Sequence, residues 1–480
     1  MTRIKFFLAF LLLSLAGRAE VSLPKVLGSN MVLQRHKPVC IWGKAAAGEA
    51  VTVTFGKQVK KTVAAIEGSW QVFLSPLAAS AQPAQLVVAG TNTLILDNVL
   101  VGEVWLCSGQ SNMEFTMNKS SKYANAVHGK GLDPEALQQE KNGNIRLFLV
   151  KRDLNKGGDI NKGWNAAEGE HLKAFSAAGY HFAKKLYEEL RIPIGVISSS
   201  IPGSRIEPWM APGDFAGTSG FRMTGSGDSL NVDGERVGKF YAGMIRPLAP
   251  FTLRGFLWYQ GESNCMLNER EPYTRKLKML IGNWRRTWKD EKLPFYFVQI
   301  APFLYSGSNG GDQAHTPEAL AEFREAQAAA LSVPYTGMVV TTDLCDKLDD
   351  IHPTYKWEVG RRLALLALEK DYGKKVVASG PAFKKLKAAG NKLEIEFNHT
   401  GSGLVSRDGQ ALTWFELAGA DGKFVPAEAR LAGKKVVVSA PSIARPTAVR
   451  FAWNEAAQPN LFNREGLPTV PFRTLSNQKN

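Results

Sequence analysis

The chain has 480 residues, more than one hydrophobic core usually serves, so two or three domains are expected. Its formal net charge is +15, but the basic residues are scattered, which indicates a solvated surface and argues against nucleic-acid binding. The cysteines show no CxxC or Cys/His spacing, which excludes the usual zinc and redox motifs; we expect them to be buried small hydrophobes, with disulfides left open. They are Cys40, Cys107, Cys265 and Cys345.

Residues 1–19 have the features of a signal peptide. Arg3 and Lys5 precede an apolar run over residues 6–16, and small residues follow up to Ala19. The run is too short to predict a membrane anchor, and no later segment has the length of a transmembrane helix. We therefore expect cleavage near Ala19, a secreted or periplasmic protein, and no membrane attachment after cleavage.

Residues 20–99 contain short apolar segments separated by turns rich in Gly, Pro and Ala. Six or so strands at near-regular spacing predict a small N-terminal β-sandwich. The expected strands are Met31–Gln34, Val39–Trp42, Val51–Phe55, Trp70–Leu74, Gln85–Val88 and Thr93–Leu96.

Residues 100–372 change character, because segments with helical periodicity alternate with short, continuously apolar strands. This alternation predicts right-handed βαβ units and a doubly wound α/β domain with a mostly parallel sheet. The expected helices are 175–190, 273–288, 319–331 and 355–368, and the expected strands include 101–106, 194–198, 295–300 and 338–342.

Residues 373–480 return to strand character. Lys392–Phe397, Lys434–Ser439 and Ala448–Trp453 alternate between apolar and polar side chains, which predicts a second sandwich. Because no low-complexity linker separates the three regions, we expect both β-regions to pack on the central domain.

Three polar segments carry the candidate chemistry. Ser111 lies in a small polar turn after the apolar run 101–106, where an α/β enzyme places its reactive groups. Gln260 lies in a similar turn after a second apolar segment, and His352 lies far downstream, three residues after Asp349. Acyl transfer needs a nucleophile, a base, a group that orients the base and donors for the oxyanion, so these segments predict a serine esterase.

These segments also carry a resemblance. The sequences Gly102–Met113, Trp258–Asn264 and Asp350–Pro353, with Asn30–Arg35 and Gly466–Pro468, resemble those of the sialate O-acetylesterase family of SGNH-type hydrolases over nearly the whole chain. The resemblance implies a flavodoxin-like α/β/α core, removal of O-acetyl groups from carbohydrates, and neither metal nor cofactor. It does not identify the sugar, and the oligomeric state is left open.

The resemblance places Ser111 as the nucleophile and His352 as the base. The broader SGNH pattern has an Asp three residues before the His, which is Asp349 here, while relatives with an Asp-Ile-His-Pro segment keep the nearer Asp350. We take Asp349 as the orienting acid and Asp350 as the alternative. The implied oxyanion donors are the Ser111 amide, the Gly203 amide and the Gln260 side chain, although Gln260 is also suited to satisfying buried backbone groups.

Four further residues are candidates for substrate binding. Asn112 and Glu262 belong to the motifs, Arg205 follows the Gly203 turn, and Trp209 lies in the same loop, where it is the best candidate for stacking on a sugar. Arg205 and Glu262 are equally suited to structural ion pairs.

Other functions compete with a sialate O-acetylesterase. The enzyme can instead deacetylate a plant or algal polysaccharide such as xylan or pectin. A glycoside hydrolase would use Glu207 and Glu262 as its carboxylate pair, but that leaves Ser111 and His352 without a task. A non-catalytic glycan-binding protein would need neither of these two residues.

Overall fold

The computed structural model describes residues 20–126, 129–150, 163–307 and 315–474. The expected signal peptide, residues 1–19, lies outside these ranges. Within them, a helix that combines the length and hydropathy needed to span a bilayer is absent.

The N-terminal region consists of two sheets around one apolar core. Its strands are β1 (Val32–Gln34), β2 (Val39–Lys44), β3 (Ala50–Phe55), β4 (Gln58–Val63), β5 (Ser69–Leu74), β6 (Ser80–Ala89) and β7 (Thr93–Gly109). β2 pairs with β5, and the others form the second sheet in the order β4-β3-β6-β7-β1. Sequence reasoning missed β4, because none of its side chains is fully buried and its apolar residues point to solvent.

Strand β7 belongs to two sheets at once. Its first part pairs with β1 and β6, and its second part, Glu103–Gly109, lies in the central sheet. The boundary expected between residues 99 and 100 falls inside this strand. The N-terminal region is therefore joined to the central sheet through continuous backbone pairing.

The central sheet has the order β16-β15-β14-β7-β10-β8-β9. Its remaining strands are β8 (Lys141–Val150), β9 (Trp164–Glu168), β10 (Ile194–Ser200), β14 (Gly255–Tyr259), β15 (Phe295–Val298) and β16 (Thr336–Val339), and a small separate sheet contains β11 (Met223–Thr224), β12 (Asn231–Val232) and β13 (Glu235–Arg236). All neighbours in the central sheet are parallel except β8 and β9. From β7 the chain forms β8, β9 and β10 on one side, with β10 next to β7, and then β14, β15 and β16 on the other side. The carboxyl end of β7 is therefore at a topological switch point, where α/β proteins place their sites.

Helices cover both faces of this sheet. They are α1 (Ser111–Glu114), α2 (Met117–Ser121), α3 (Pro134–Gln139), α4 (Gly169–Lys173), α5 (Ala177–Leu190), α6 (Glu262–Cys265), α7 (Glu271–Trp288), α8 (Ala319–Ala328) and α9 (Lys356–Lys370). Short 3-10 turns span Glu207–Trp209, Pro212–Phe215, Gly227–Ser229, Arg246–Leu248, Tyr305–Gly307 and Ala329–Ser332, and a π turn spans Tyr241–Ile245.

Alternate residues of the parallel strands enter two different cores. Trp258 packs with Trp284 of α7 on one face, and Trp105 packs with Phe182 of α5 on the other. Helix α9 lies very close to α5. This closeness is seen at Gly360 of α9, where an added Cβ would stand 2.6 Å from the carbonyl oxygen of Ala178 in α5. The doubly wound α/β core expected from the alternating pattern is confirmed.

The C-terminal region is again all β. Its strands are β17 (Ala382–Ala389), β18 (Lys392–Asn398), β19 (Leu404–Ser406), β20 (Phe415–Ala418), β21 (Phe424–Pro426), β22 (Glu428–Ala432), β23 (Lys435–Ser439), β24 (Ala448–Phe451), β25 (Leu461–Asn463) and β26 (Phe472–Arg473). Two four-stranded sheets, β17-β18-β23-β22 and β21-β20-β24-β26, enclose a separate apolar core, and β19 pairs with β25.

Polar contacts hold the C-terminal region against the central domain. Arg407 reaches Asp343 at 3.0 Å, and Glu455 accepts a 2.8 Å hydrogen bond from the backbone N–H of Ser306. Asp343 also receives two 2.7 Å hydrogen bonds from Arg362 of α9. The C-terminal region is thus tied to the loop that follows β16. The four cysteines are buried and unpaired.

Candidate active site

The turn after β7 presents Ser111 at the carboxyl edge of the sheet. Gly109 ends the strand with φ at +139°, and a Cβ there would stand 2.1 Å from the carbonyl oxygen of Tyr259, so only glycine fits. The backbone then enters α1 at once, with Ser111 as its first residue and Gln110 before it in an extended conformation. This sharp strand-to-helix turn keeps the Ser111 hydroxyl away from its own strand.

Ser111 and His352 are brought together from opposite ends of the domain. His352 Nε2 lies 2.9 Å from Ser111 Oγ, which is hydrogen-bond distance. Both side chains are half-buried, with 33% of the His352 side chain exposed, so a substrate can reach them. The pairing expected from the motifs is present, and it has the geometry of a nucleophile with its general base.

The acid beside His352 is Asp350, not Asp349. Asp350 Oδ1 lies 3.6 Å from His352 Nδ1 and accepts a 2.9 Å hydrogen bond from the His352 backbone N–H. Among the contacts of the described residues, none joins the exposed Asp349 to His352. Our first choice of Asp349 is therefore not supported by the geometry, because the tight turn at Asp350 directs the carboxylate two residues back, not three, toward the imidazole. At 3.6 Å the Asp350 oxygen is too far from Nδ1 for a hydrogen bond, and the two groups form an ion pair only when the imidazole is protonated.

The surroundings of His352 lower its pKa below the ordinary value. Burial is the largest cause, the nearby ammonium of Lys356 adds to it, Asp350 opposes it, and Lys119 contributes a smaller lowering. The raising effect of Asp350 is weak, because its carboxylate is nearly half exposed and its charge is screened.

The expected oxyanion donors divide into two groups. Gly203 lies at the corner of an exposed turn after β10, closed by a hydrogen bond from Ser204 N–H to the Ile201 carbonyl oxygen, and Ile201 N–H in turn donates to the Gly109 carbonyl oxygen. The turn is therefore attached to the strand that carries Ser111. The amides of Ser111 and Gly203 stay candidates for oxyanion binding.

Gln260 does not fit the oxyanion role that we assigned to it. Its side chain is fully buried, and Nε2 lies 2.8 Å from Asn264 Oδ1 and 3.2 Å from the Ser204 carbonyl oxygen. Its Oε1 accepts a 2.9 Å hydrogen bond from Tyr273. The nitrogen and the oxygen of the side-chain amide both have hydrogen-bond partners already. Gln260 therefore stabilises the Gly203 turn through the Ser204 carbonyl oxygen.

Asn112 and Glu262 are buried beneath the site and do not face a substrate. Asn112 Nδ2 donates to Glu262 Oε1 at 2.5 Å and to the Ile351 carbonyl oxygen at 3.0 Å. Burial raises the pKa of Glu262, and the hydrogen bond from Asn112 lowers it in part. The substrate-binding role expected for both residues is therefore replaced by a role in holding the loop before His352.

Arg205 and Glu207 belong to a buried ion-pair cluster. Arg205 lies 2.6 Å from Glu207 and 3.0 Å from Glu269, and the fully buried Lys276 lies 2.6 Å from Glu207 and 2.8 Å from Glu269. Asp233 completes the cluster at 2.9 Å from Lys276. Oxygens of the three acids lie close enough together to hold a metal ion, but the Lys276 ammonium contacts all three and Arg205 contacts two of them, so their negative charge is already largely balanced.

This cluster also weakens the glycoside hydrolase alternative. Glu207 is fully buried and ion-paired, and Glu262 is 2% exposed and hydrogen-bonded to Asn112. Glycoside hydrolysis requires two carboxylates that face each other across an accessible cleft. Neither of these two reaches one. Arg205 is likewise structural, and not the substrate ligand that we considered.

Trp209 is not a platform for sugar stacking. Its side chain is 0% exposed and packs edge-on against Trp258, with Phe240 on another side. Its indole N–H lies 3.1 Å from Ser204 Oγ. The expectation was wrong because the loop after Gly203 folds inward as a short 3-10 turn, which the sequence pattern did not reveal.

Lys356 is a polar residue of the site that sequence reasoning missed. It is the first residue of α9, it is 0% exposed, and its Nζ donates to Asn112 Oδ1 at 2.8 Å and to the Pro353 carbonyl oxygen. Burial lowers its pKa to about 7. The available signal was its position four residues after His352, within one helical turn of the motif.

A cavity of about 420 Å³ opens beside the imidazole. His352 and Asp350 line one side, and Tyr123, Asp133 and Lys347 are among the residues that line the rest. Charged side chains of both signs line the cavity beside apolar surface, so it offers hydrogen-bond partners for hydroxyl groups and apolar contact for a sugar ring.

The chain is similar to known proteins. A family model described as "Carbohydrate esterase, sialic acid-specific acetylesterase" matches residues 101–369, from the central part of β7 to the end of α9. The chain belongs to this family of carbohydrate esterases. It is accordingly a carboxylic ester hydrolase that acts on O-acetylated carbohydrate.

Individual relatives of this carbohydrate esterase agree. The sialate O-acetylesterase of Mus musculus is 31% identical over 415 residues, which is 74% of each chain. That of Pongo abelii is 30% identical over 499 residues, covering 93% of this chain and 91% of the relative. A crystal structure of a carbohydrate acetylesterase from Xanthomonas citri matches with a TM-score of 0.82 and 35% identity, over 95% of this chain and 99% of the other.

Proposed function

We propose that this carbohydrate esterase removes O-acetyl groups by a serine mechanism in which Ser111 is the nucleophile and His352 the general base. The observation that carries the proposal is the 2.9 Å contact between Ser111 Oγ and His352 Nε2 at the accessible carboxyl edge of the sheet. A serine hydroxyl is a weak nucleophile while it keeps its proton, so it needs a general base at hydrogen-bond distance to accept that proton.

The proposed reaction has two steps. His352 Nε2 takes the proton of Ser111 Oγ as the oxygen attacks the acetyl carbonyl carbon, and the amides of Ser111 and Gly203 stabilise the oxyanion. The bond to the sugar oxygen then breaks, and the sugar leaves as an alcohol with the proton from His352. Water, deprotonated by His352, attacks the acetyl-enzyme, and acetate departs as Ser111 recovers its proton.

The sugar would lie in the cavity beside His352. Its volume is in the range of a small-molecule site, and the charged and polar side chains in its walls offer partners for hydroxyl groups. The names of the relatives point to O-acetylated sialosides and, more broadly, to acetylated carbohydrates. Acetylated polysaccharides such as xylan or pectin are the alternative substrate class that we raised from the sequence. We propose the first as the leading class, since sialate O-acetylesterases span most of the chain.

A panel of substrates tests both the chemistry and the substrate class. Acetate release should be measured on O-acetylated sialosides, acetylated xylan and acetylated pectin, with Ser111→Ala as the matched control. We expect release from at least one glycan by the wild type and none above background by the variant. Release by Ser111→Ala within a few-fold of wild type would overturn the serine mechanism, and reducing-sugar release would restore the glycoside hydrolase alternative.

We also propose that the enzyme is exported after cleavage near Ala19. The support is the sequence of residues 1–19, with its basic start and short apolar run. The mass of the mature chain purified from the secreted or periplasmic fraction tests this. A mature chain that keeps Met1, or one that stays in the cytoplasm, would contradict it.

A further inference from the structure

Two buried side chains hold the backbone on both sides of His352. Asn112 Nδ2 donates to the carbonyl oxygen of Ile351 at 3.0 Å, and Lys356 Nζ donates to the carbonyl oxygen of Pro353. The two side chains are themselves joined, because Lys356 Nζ also donates to Asn112 Oδ1 at 2.8 Å. The backbone is therefore held at the peptide group that precedes His352 and at the peptide group that follows Pro353.

The same group is attached directly to the nucleophile. Asn112 is the residue after Ser111 and lies in the first turn of α1. Any shift of Asn112 would move both the serine turn and the histidine loop. The relative position of Ser111 Oγ and His352 Nε2 thus depends on hydrogen bonds that converge on one carboxamide.

Lys356 occupies a place that stability alone does not favour. Burying an ammonium is costly unless it is paired, and the first residue of a helix lies at the positive end of the helix dipole. Among the described residues, no carboxylate lies within ion-pair distance of Lys356. Besides its hydrogen bonds to Asn112 and Pro353, the ammonium has only the rings of Phe115 and Tyr259, at 4.7 and 5.5 Å, and the more distant charges of Glu262 and Asp350 to compensate it. Such an expensive arrangement next to a site points to a functional use.

In a catalytic triad an acid is hydrogen-bonded to the histidine, and among the described residues no acid makes such a hydrogen bond to the His352 imidazole. Asp350 is 3.6 Å from His352 Nδ1, and 47% of its side chain is exposed. The buried hydrogen bonds of Asn112 and Lys356 are shielded from water and hold their partners more firmly than an exposed charge does.

We propose that Asn112 and Lys356 are positioning residues that hold His352 against Ser111 through the backbone, and that the Lys356 ammonium, bonded to the same loop, adds to burial in disfavouring a second positive charge there. This inference rests on the proposed function, since it requires Ser111 and His352 to be nucleophile and base.

The Lys356 charge shifts the pKa of His352 in the direction that the proposal requires. Besides burial, the charged groups that act on His352 are Lys356 and Lys119, which lower its pKa, and Asp350, which raises it. With a pKa of about 7, Lys356 is mostly cationic in the more acidic range where His352 titrates. Removing its charge should therefore raise the pKa of His352.

The test compares Lys356→Met, Lys356→Arg and Lys370→Met in the full chain. Lys370 is the exposed last residue of the same helix, so its variant controls for the change in net charge. kcat and KM are measured on an aryl acetate across the pH range, with Ser111→Ala in parallel. We expect Lys356→Met to lower kcat by about 100-fold, the cost of slight misplacement, with KM little changed and the acid limb shifted to higher pH. Lys356→Arg should recover part of kcat and the limb position.

The outcomes separate this inference from the proposed function. If Lys356→Met behaves as Lys370→Met does while Ser111→Ala is inactive, the serine mechanism stands and the positioning role is overturned. If Ser111→Ala is active, the proposed function itself fails.

Two further measurements cover the case in which Lys356→Met does not fold. The double variant Lys356→Met with Glu262→Gln removes both buried charges, so it should fold more readily and still show the raised acid limb. In the wild type, titration of the His352 imidazole by nitrogen NMR should give a pKa below the ordinary value. A wild-type value at or above 6.5 would overturn the inference without any variant.

Discussion

Asp350 Oδ1 accepts a hydrogen bond from the backbone N–H of His352 and lies 3.6 Å from the Nδ1 of the same residue. One carboxylate thus caps the turn and faces the imidazole at once. The first of these contacts is a hydrogen bond and the second is not, so the main effect of Asp350 is on the shape of the loop.

This relationship predicts unequal effects for the two neighbouring acids. Asp350→Asn keeps an oxygen for the His352 N–H and removes only the charge, so kcat/KM should fall by roughly 10-fold, far less than the ~10⁴ lost with a hydrogen-bonded triad acid. Asp349→Asn should leave kcat/KM unchanged, because Asp349 is exposed and away from the imidazole. Steady-state rates on an aryl acetate check both, and a loss of ~10⁴ in Asp349→Asn would return the acid role to Asp349.

The pH dependence should follow the lowered pKa of His352. Only the neutral imidazole accepts the Ser111 proton, so activity is lost as pH falls through that pKa. Because burial and the Lys356 charge lower the pKa, the acid limb of kcat/KM should lie below 6.5. In Asp350→Asn it should move lower still, because Asp350 raises the pKa. A limb above 6.5 in the wild type, or an upward shift in the variant, would contradict this sign.

Trp209 should matter for stability and not for substrate binding. Its side chain is fully enclosed by the core with Trp258, so Trp209→Ala should reduce the free energy of unfolding by about 3–5 kcal/mol. Trp209→Phe should lose less, and its KM for an acetylated glycan should equal that of the wild type. Denaturant titration and KM measurement check this; a raised KM with unchanged stability would make Trp209 a sugar contact after all.

Chelators should leave the esterase rate unchanged. The Lys276 ammonium lies within 2.6 to 2.9 Å of Glu207, Asp233 and Glu269, so it already supplies positive charge at the position where these acids would bind a metal ion. Prolonged dialysis against EDTA, followed by assay with and without added zinc or calcium, is the measurement. Loss of activity that either ion restores would show that a metal takes part.

Much of the fold followed from periodicity. Helix α5, expected over residues 175–190, spans Ala177–Leu190, and α7, expected over 273–288, spans Glu271–Trp288. Both have a buried stripe at helical spacing, so tertiary packing agrees with the local pattern. The expected pairing of Ser111 with His352 also appears, because both motifs end at the same edge of a parallel sheet.

The surroundings of the site were harder to predict, for physical reasons. Whether Asp349 or Asp350 faces His352 depends on one turn, in which adjacent side chains point in different directions. Arg205 contacts Glu269 and Gln260 contacts Ser204, both distant in sequence, and spacing does not encode such contacts. Trp209 looked like a loop residue because the inward 3-10 turn has no distinctive pattern.

Through strand β7, the position of Ser111 depends on the N-terminal region, which contributes none of the proposed catalytic residues. Its 17 residues run without a break from the N-terminal sheet to the turn at Ser111. The N-terminal sheet cannot come apart without loosening the strand that ends beneath the nucleophile. Amide protons of β6 and of Glu103–Gly109 should therefore exchange with the same opening free energy. Heat inactivation should coincide with melting of the N-terminal sheet, because this sheet stabilises the strand that positions Ser111.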